Sequence, residues 1–516
     1  MPATEDEEHH VKKDERDGEP SGGFASVFAR RQILKGAGGL IAAAALPAKW
    51  AAPLAFPLSV AAQAQPANDL IGRLARYMVQ ARDRALPANV TRDCKQHILD
   101  TLAAMVSGAR LKPGEMAIRY VQSQGGVPEA SVLATQILTS AVNAALANGM
   151  FGHADETDDF EPVTKAHPGC AVVPAALAVG EREGGSGVEL LRAVTLGYDI
   201  CCRFLMALGP DHVRATHRSA EGTSATMGSV AAAASMARLD ETQMRHALSY
   251  AAQQVSGLWS WTQDKDHIEK AFDFGGMGAR NGVAAALMVQ AGFTGVPDVM
   301  SGEHNVLQAL SIQPRPEEMV AGLGTRFFVS ETAIKTFSVG YPNQAPLDAL
   351  LRLRREHGLR PDNVEHILVR LPEDGARIVS NSAMPDVNCQ YLIAVALVDG
   401  GVSFANSHSH ERMADPQIRA VRERVELIAD RALMDPAAPR SGFVEVTLRD
   451  GRKVSHFTRH PPGTKENPLD TEALNAKARD LMAPVLGAQR TEALIQRVAA
   501  LEELRNVREL RPLLTA

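Results

Sequence analysis

The chain of 516 residues is long enough for a large core and for two or more domains, and its 45% hydrophobic content is ordinary for a globular protein. A formal net charge of -6, spread over both signs, leaves no basic stripe and argues against nucleic acid as a partner. Aromatic residues make up only 5% while alanine runs recur, a balance that favours close-packed helices over a sheet sandwich.

The first 28 residues are polar and rich in acids, Ser and Gly. Arg30-Arg31, an apolar pair and Lys35 then lead into the small, apolar run Gly36 to Val60. This pattern resembles a twin-arginine export signal, with Ala62-Gln63-Ala64 as a small-x-small cleavage site. Pro47, Pro53 and Pro57 interrupt the apolar run, so a permanent membrane span is the weaker reading. Residues 1–64 are therefore expected to be a tail and signal peptide, recognised by the twin-arginine translocation machinery and leading to the periplasm. The five cysteines, Cys94, Cys170, Cys201, Cys202 and Cys389, show neither C-x-x-C nor zinc spacing and read as small core residues.

From Asp69 to about Gly292 the apolar period is helical. Ile98, Leu102 and Met105 mark a helix beginning after Pro87, and similar stripes run through 140–150, 171–181, 188–204, 228–237, 241–255 and 282–291. Asp240 is an apt N-cap for the helix behind it. After about Phe327 the period changes to two. Val364 to Leu371 and Phe443 to Leu448 alternate as strands, and the second leads through the turn Arg449 to Arg452 into a further strand, 453–457. Helical stretches at 346–357 and 390–399 accompany them, and the tail from Asp470 returns to helix. The fold class expected is mainly α with an α+β second domain. Residues 65–327 form a helical domain, 328–460 an inserted α+β lid domain, and 461–516 C-terminal helices that return to the helical domain.

Between two apolar helical stretches, His153 to Gly169 gathers two histidines, five carboxylates and a lysine. Such a cluster is costly to bury unless its polar groups are partnered. His153, Asp155 and His167 suggest metal ligands, but their spacing matches no zinc or calcium loop, and no metal is expected. A solvated turn is the plain alternative. The sharper reading is acid-base chemistry, in which like charge from Asp158 and Asp159 raises the proton affinity of Glu156 while His167 titrates near neutrality. Gly276-Met-Gly278-Ala-Arg-Asn-Gly282 follows no strand pattern and is no dinucleotide fingerprint.

Asn148-Gly149 through His153, Glu156 and Asp158-Asp159, followed by His167-Pro168-Gly169, resembles the signature of the MmgE/PrpD family, which includes 2-methylcitrate dehydratase and cis-aconitate decarboxylase. Further pieces fall in that family's order: His217 ahead of Gly228, Lys270 ahead of Gly276, Asn281 and Gly282, Lys335-Thr-Phe337, and Asn388-Cys-Gln390-Tyr391. The resemblance covers roughly residues 68–514. It implies a cofactor-free homodimer with a site between helical domain and lid for a small carboxylic acid. It also implies an acid-base pair, Glu156 and His167, with Lys270 and Lys335 stabilising an anionic intermediate and Tyr391 as donor or proton relay. His153, Asp159, His217 and Gln344 are the expected substrate-binding residues.

The departures are specific. Glu156 stands where the family usually has Asp, Phe160 where Thr or Ser often follows, and Gly340 and Gln344 where histidines are common. Lys270 lies one residue farther from Gly282 than the usual spacing, which calls for a bulge if it is to reach the site. The reading is a lyase, or an isomerase, working by proton transfer beside a carboxylate. Its alternative, supported by Phe160 and Gln344, is an exported carboxylate-binding protein that kept the fold and lost the chemistry.

Overall fold

The computed structural model describes residues 69–516, so the export signal expected over residues 1–64 lies outside the described residues. Among the described residues no helix is long and apolar enough to cross a membrane. The helices begin where the sequence offers caps. Asp240 accepts from the Gln243 amide at 2.9 Å, while the Gln243 side chain accepts from the Asp240 amide at 3.0 Å. Such reciprocal capping contributes about 1 kcal/mol. The alanine-rich helix Ala220–Met236 is buried along its whole length and packs against Pro168–Glu183, Gly187–Leu208 and Met277–Gln290. Small side chains permit that close assembly on every side. All five cysteines are free and buried.

Among the described residues, one four-stranded sheet supplies the strands apart from a two-residue pairing at Ala130–Ser131 with Leu138–Thr139. Its strand order is Val425–Asp430, Val364–Pro372, Gly442–Leu448, Lys453–Thr458. The first pair is parallel and the others antiparallel, with Val369 opposite both Leu427 and Val444. Val364, Ile367, Val369 and Leu371 are buried, a phase change that a bulge between Val364 and His366 absorbs. Gln344–His357 packs on the two strands that form the hairpin.

The buried apolar side chains form two main cores. One draws on Ile71 to Ile334 and again on Leu474 to Leu514, and the other on Val339 to Leu448. Phe328, Val329 and Ile334 belong to the first, because the Phe328 amide donates to Asp199 at 2.8 Å and draws its segment inward. The helix Thr471–Leu486 packs on Ala88–Gly108, and its Lys477 pairs with Asp100 at 2.6 Å.

Candidate active site

The helix Ala141–Gly152 stops at His153 and the helix Pro168–Glu183 starts after His167. The connection folds inward rather than out: every residue from His153 to Glu161 is buried. Burying so many carboxylates costs several kcal/mol each unless partners compensate, and the fold brings partners from far along the chain. Asp155 accepts from the Thr157 amide and hydroxyl at 3.0 and 2.7 Å, and its other neighbour is His408 Nε2 at 2.9 Å. Glu156 pairs with Lys270 and, at 3.4 Å, with Lys335, which also donates to the Glu156 carbonyl at 2.9 Å. Lys477 donates to the Thr157 carbonyl at 3.0 Å. Asp158 receives His153 Nδ1 at 2.9 Å and His167 Nδ1 at 3.1 Å. Asp159 receives His97 Nδ1 at 2.7 Å, the Tyr198 hydroxyl at 2.5 Å and the Gly169 amide at 3.0 Å. A solvated corner is therefore ruled out.

Lys270 arrives by way of an irregular helix. Ile268–Ala271 runs into a π-helical turn, Phe272–Gly276, before Met277–Gln290 resumes α geometry. The π turn is the bulge that the long spacing to Gly282 required. Its approach to Ala141–Gly152 needs glycine on both sides, since a Cβ on Gly149 would sit 2.7 Å from the Gly275 carbonyl. The Lys270 ammonium lies 4.8 Å from the Trp261 ring centre and 5.2 Å from that of Phe274. His153 stacks on Phe274 with centroids 4.0 Å apart.

Burial works to raise the Glu156 pKa, but the ammonium groups of Lys270 and Lys335 overcome it and hold the carboxyl well below its ordinary range. The sequence suggested the opposite shift. The neighbouring acids are only one part of the field, and the two lysines are closer to the carboxylate. Asp158 likewise stays well below its usual value, burial being outweighed by His153, His167 and Lys335. Burial lowers both His153 and His267. The buried Nε2 atoms of both rings have no hydrogen-bond partner. With Glu156 they form one set close enough to hold a metal, and His153, Asp158 and His167 form another. Both sets share a drawback, because Lys270 and Lys335 already neutralise the carboxylates and a divalent ion would enter against two fixed ammonium groups.

A narrow cleft opens beside this cluster. Glu156, His167, Lys270, Arg214, Arg440 and Tyr341 are among its lining residues. Phe160 is another, 4.3 Å from the Tyr341 ring and with the Arg440 guanidinium 6.0 Å above it. Arg440 pairs with Asp374 at 2.8 Å and Arg214 with Glu221 at 3.1 Å. Because Asp158 is ionised, His167 Nδ1 must be the donor in their hydrogen bond, which leaves Nε2 as the nitrogen that can exchange a proton.

The structure thus gathers Glu156, His153, His167, Lys270 and Lys335. Lys335 is fully buried and does not line the cleft, so it anchors the loop instead of facing a ligand. Asp159 is consumed by His97, Tyr198 and Gly169 and offers nothing to substrate. Three expected residues fall elsewhere. Tyr391 donates its hydroxyl to the Asn406 carbonyl inside the second core. His217 is exposed in a left-handed turn at φ 60°, where its carbonyl accepts from the Trp259 amide. Gln344 spends its amide on the Phe337 and Val339 backbone. The sequence did not single out His408, His267, Arg214 or Arg440: Asp155 beside His408 and Asp374 beside Arg440 lie far along the chain, and Arg214 with Glu221 seven residues on matches no motif.

Comparison with known proteins accords with this geometry. The chain is 25% identical over 466 residues to the cis-aconitate decarboxylase of Aspergillus terreus, an alignment covering 83% of this chain and 92% of that protein. It is 23% identical over 491 residues to a cis-aconitate decarboxylase-like protein of Aspergillus oryzae, covering 87% and 98%. It is 24% identical over 259 residues to the mitochondrial 2-methylcitrate dehydratase of Yarrowia lipolytica, covering 46% and 49%. These relatives are named as decarboxylase and dehydratase enzymes, in keeping with a lyase. The MmgE/PrpD N-terminal domain matches residues 72–319 and the MmgE/PrpD C-terminal domain residues 337–503. With both halves matched, the chain belongs to the MmgE/PrpD family.

Proposed function

We propose that the protein is a lyase that acts on a small carboxylic acid by moving a proton at the carbon next to a carboxylate. The observation that carries this reading is His167, which Asp158 holds through Nδ1 in the cleft that Lys270 also lines. A substrate carboxylate takes Lys270 from Glu156, exchanging one anion for another without uncovering the ammonium group. In decarboxylation the bond to the departing carboxyl breaks, carbon dioxide leaves, and His167 Nε2 delivers a proton to the carbon that keeps the electron pair. In dehydration the same nitrogen removes the proton, and hydroxide departs with a proton from a second donor.

Decarboxylation of an unsaturated acid is the first reaction to test, since the decarboxylase and decarboxylase-like relatives align over 92% and 98% of their length and the dehydratase over 49%. The experiment offers cis-aconitate and 2-methylcitrate to the purified protein and follows both by NMR. Release of carbon dioxide or formation of an alkene is expected. Saturable binding of these acids without turnover would favour the carboxylate-binding alternative, and neither binding nor turnover would reject this substrate class. The homodimer is part of the same proposal and is read by gel filtration. Export is another part: mass spectrometry should find a mature chain starting near Gln65.

A further inference from the structure

His408 lies where the two cores meet, with Nδ1 hydrogen-bonded and Nε2 close to two carboxylates. Nδ1 is 2.8 Å from the Phe404 carbonyl and 2.9 Å from the Ser407 hydroxyl. Nε2 is 2.9 Å from Asp155 Oδ2 and 3.9 Å from Asp386 Oδ2. A carbonyl can only accept, so Nδ1 carries a proton. Asp155 accepts from Thr157 through both its oxygens, as an ionised carboxylate does. Nε2 approaches that charge without a formed hydrogen bond, and a second proton there makes the approach an ion pair. The ring is stacked on Phe404 with centroids 4.2 Å apart.

The turn that presents it is braced by Tyr391, whose hydroxyl donates to the Asn406 carbonyl and lies 3.4 Å from that of Ser409. Asp155 directly precedes Glu156, so the His408–Asp155 pair brings the second core to this part of the loop. Lys270 and Lys335 reach Glu156, and Lys477 reaches the Thr157 carbonyl.

We propose that His408 is a positioning residue: as an imidazolium it ties the second core to Asp155, fixes the backbone that carries Glu156 opposite Lys270, and gives Tyr391 its role through the turn the hydroxyl supports. The inference rests on the proposed reading of the Glu156 and His167 site. Burial opposes the ring's charge, but Asp155 and then Asp386 overcome it and push His408 up to about 9. Asp386, itself raised by burial to about 6, is the second acid facing the ring, and Glu156 and Lys270 lie within electrostatic reach behind it. A base with a raised pKa keeps its contribution below its ordinary value and loses it as pH rises through the folded one. The tie is therefore intact at neutral pH and released around pH 9.

The test combines three readouts on the full chain. The first is nitrogen-15 NMR of the wild-type imidazole, which should show both nitrogens protonated at neutral pH. The second is hydrogen exchange of residues 153–160 in wild type and His408→Gln, where exchange should quicken by about ten-fold or more as local opening becomes easier. The third is kcat and KM on cis-aconitate against pH. His408→Gln should lower kcat about ten-fold with KM less affected, and should lose the wild-type decline centred near pH 9. Asp155→Asn should have a similar effect, and the double variant should be no worse than either single one.

A neutral His408 ring, or unchanged exchange in a folded His408→Gln, overturns the proposal. If that variant does not fold, the wild-type NMR spectrum decides. Neither NMR nor exchange needs a substrate, so a protein without lyase activity would refute the proposed reaction while leaving the His408 tie to be judged by itself.

Discussion

Two sets of cations meet at the cleft, and the protein treats them differently. Around Glu156 and His167, the loop carboxylates from Asp155 to Asp159 all have partners, and Lys335 is fully enclosed by the groups it neutralises. In the second set, Arg214 and Arg440 each have one acidic partner, and the Nε of each is buried without a hydrogen bond. Lys165, within electrostatic reach of Arg440 and Arg214, is pushed down to about 7, first by burial and then by Arg440. A matched set is preorganised for chemistry, whereas donors with spare capacity suit an incoming anion. Substitutions in the first set should reduce stability or kcat, and those in the second should change KM.

The largest effect is expected at Lys335. Lys335→Ala leaves Glu156 and Asp158 short of a buried countercharge and should cost about 3–5 kcal/mol, read by denaturant unfolding. Lys270→Met removes the cation that a substrate carboxylate would claim, and kcat/KM should fall by about a hundred-fold, read by steady-state kinetics. Arg440→Ala should raise KM about ten-fold with kcat nearly unchanged, since a charged hydrogen bond contributes about 1.5–3 kcal/mol. A comparable loss of kcat there would erase the distinction between the two sets.

The smallest effect has the opposite sign. The folded pKa of Lys165 lies below its unfolded value, so the unfolded chain binds more protons between about 7 and 10.5 and stability rises with pH across that window. Lys165→Met should therefore stabilise the protein at pH 7 and below, with the benefit fading toward pH 10.5. Thermal melts of both proteins across that range would check it. Lys335 behaves the other way: burial lowers its pKa, but Asp158 and Glu156 raise it by more. Its contribution is present below the ordinary lysine value and lost only above it.

Much of this organisation is legible in the sequence because it is local. The acids between His153 and Gly169 stand out against apolar helices, and the long spacing from Lys270 to Gly282 foretells the π turn. The alternation at Val364 and Phe443 marks two strands, and the turn at Asp450 marks a third. Val425–Asp430 escapes notice because it is a parallel edge strand with no hairpin turn to mark it and little of it buried. The sign of the Glu156 shift is hidden for a different reason: its nearest neighbours in sequence are acids, while its nearest charges in space are lysines brought by folding. Gln344 and Tyr391 show the limit of reading a position from its residue type, since their polar atoms are consumed by nearby backbone.

The central claim is that His167 moves the proton, and the turnover rate of His167→Ala tests it most directly. The comparison uses the acid that the wild-type protein converts fastest, in heavy water, with deuterium in the product followed by NMR. The account predicts that turnover and deuterium incorporation fall together by about a hundred-fold or more while the variant keeps its melting temperature. Turnover within about ten-fold of wild type would contradict it and move the proton transfer to another group.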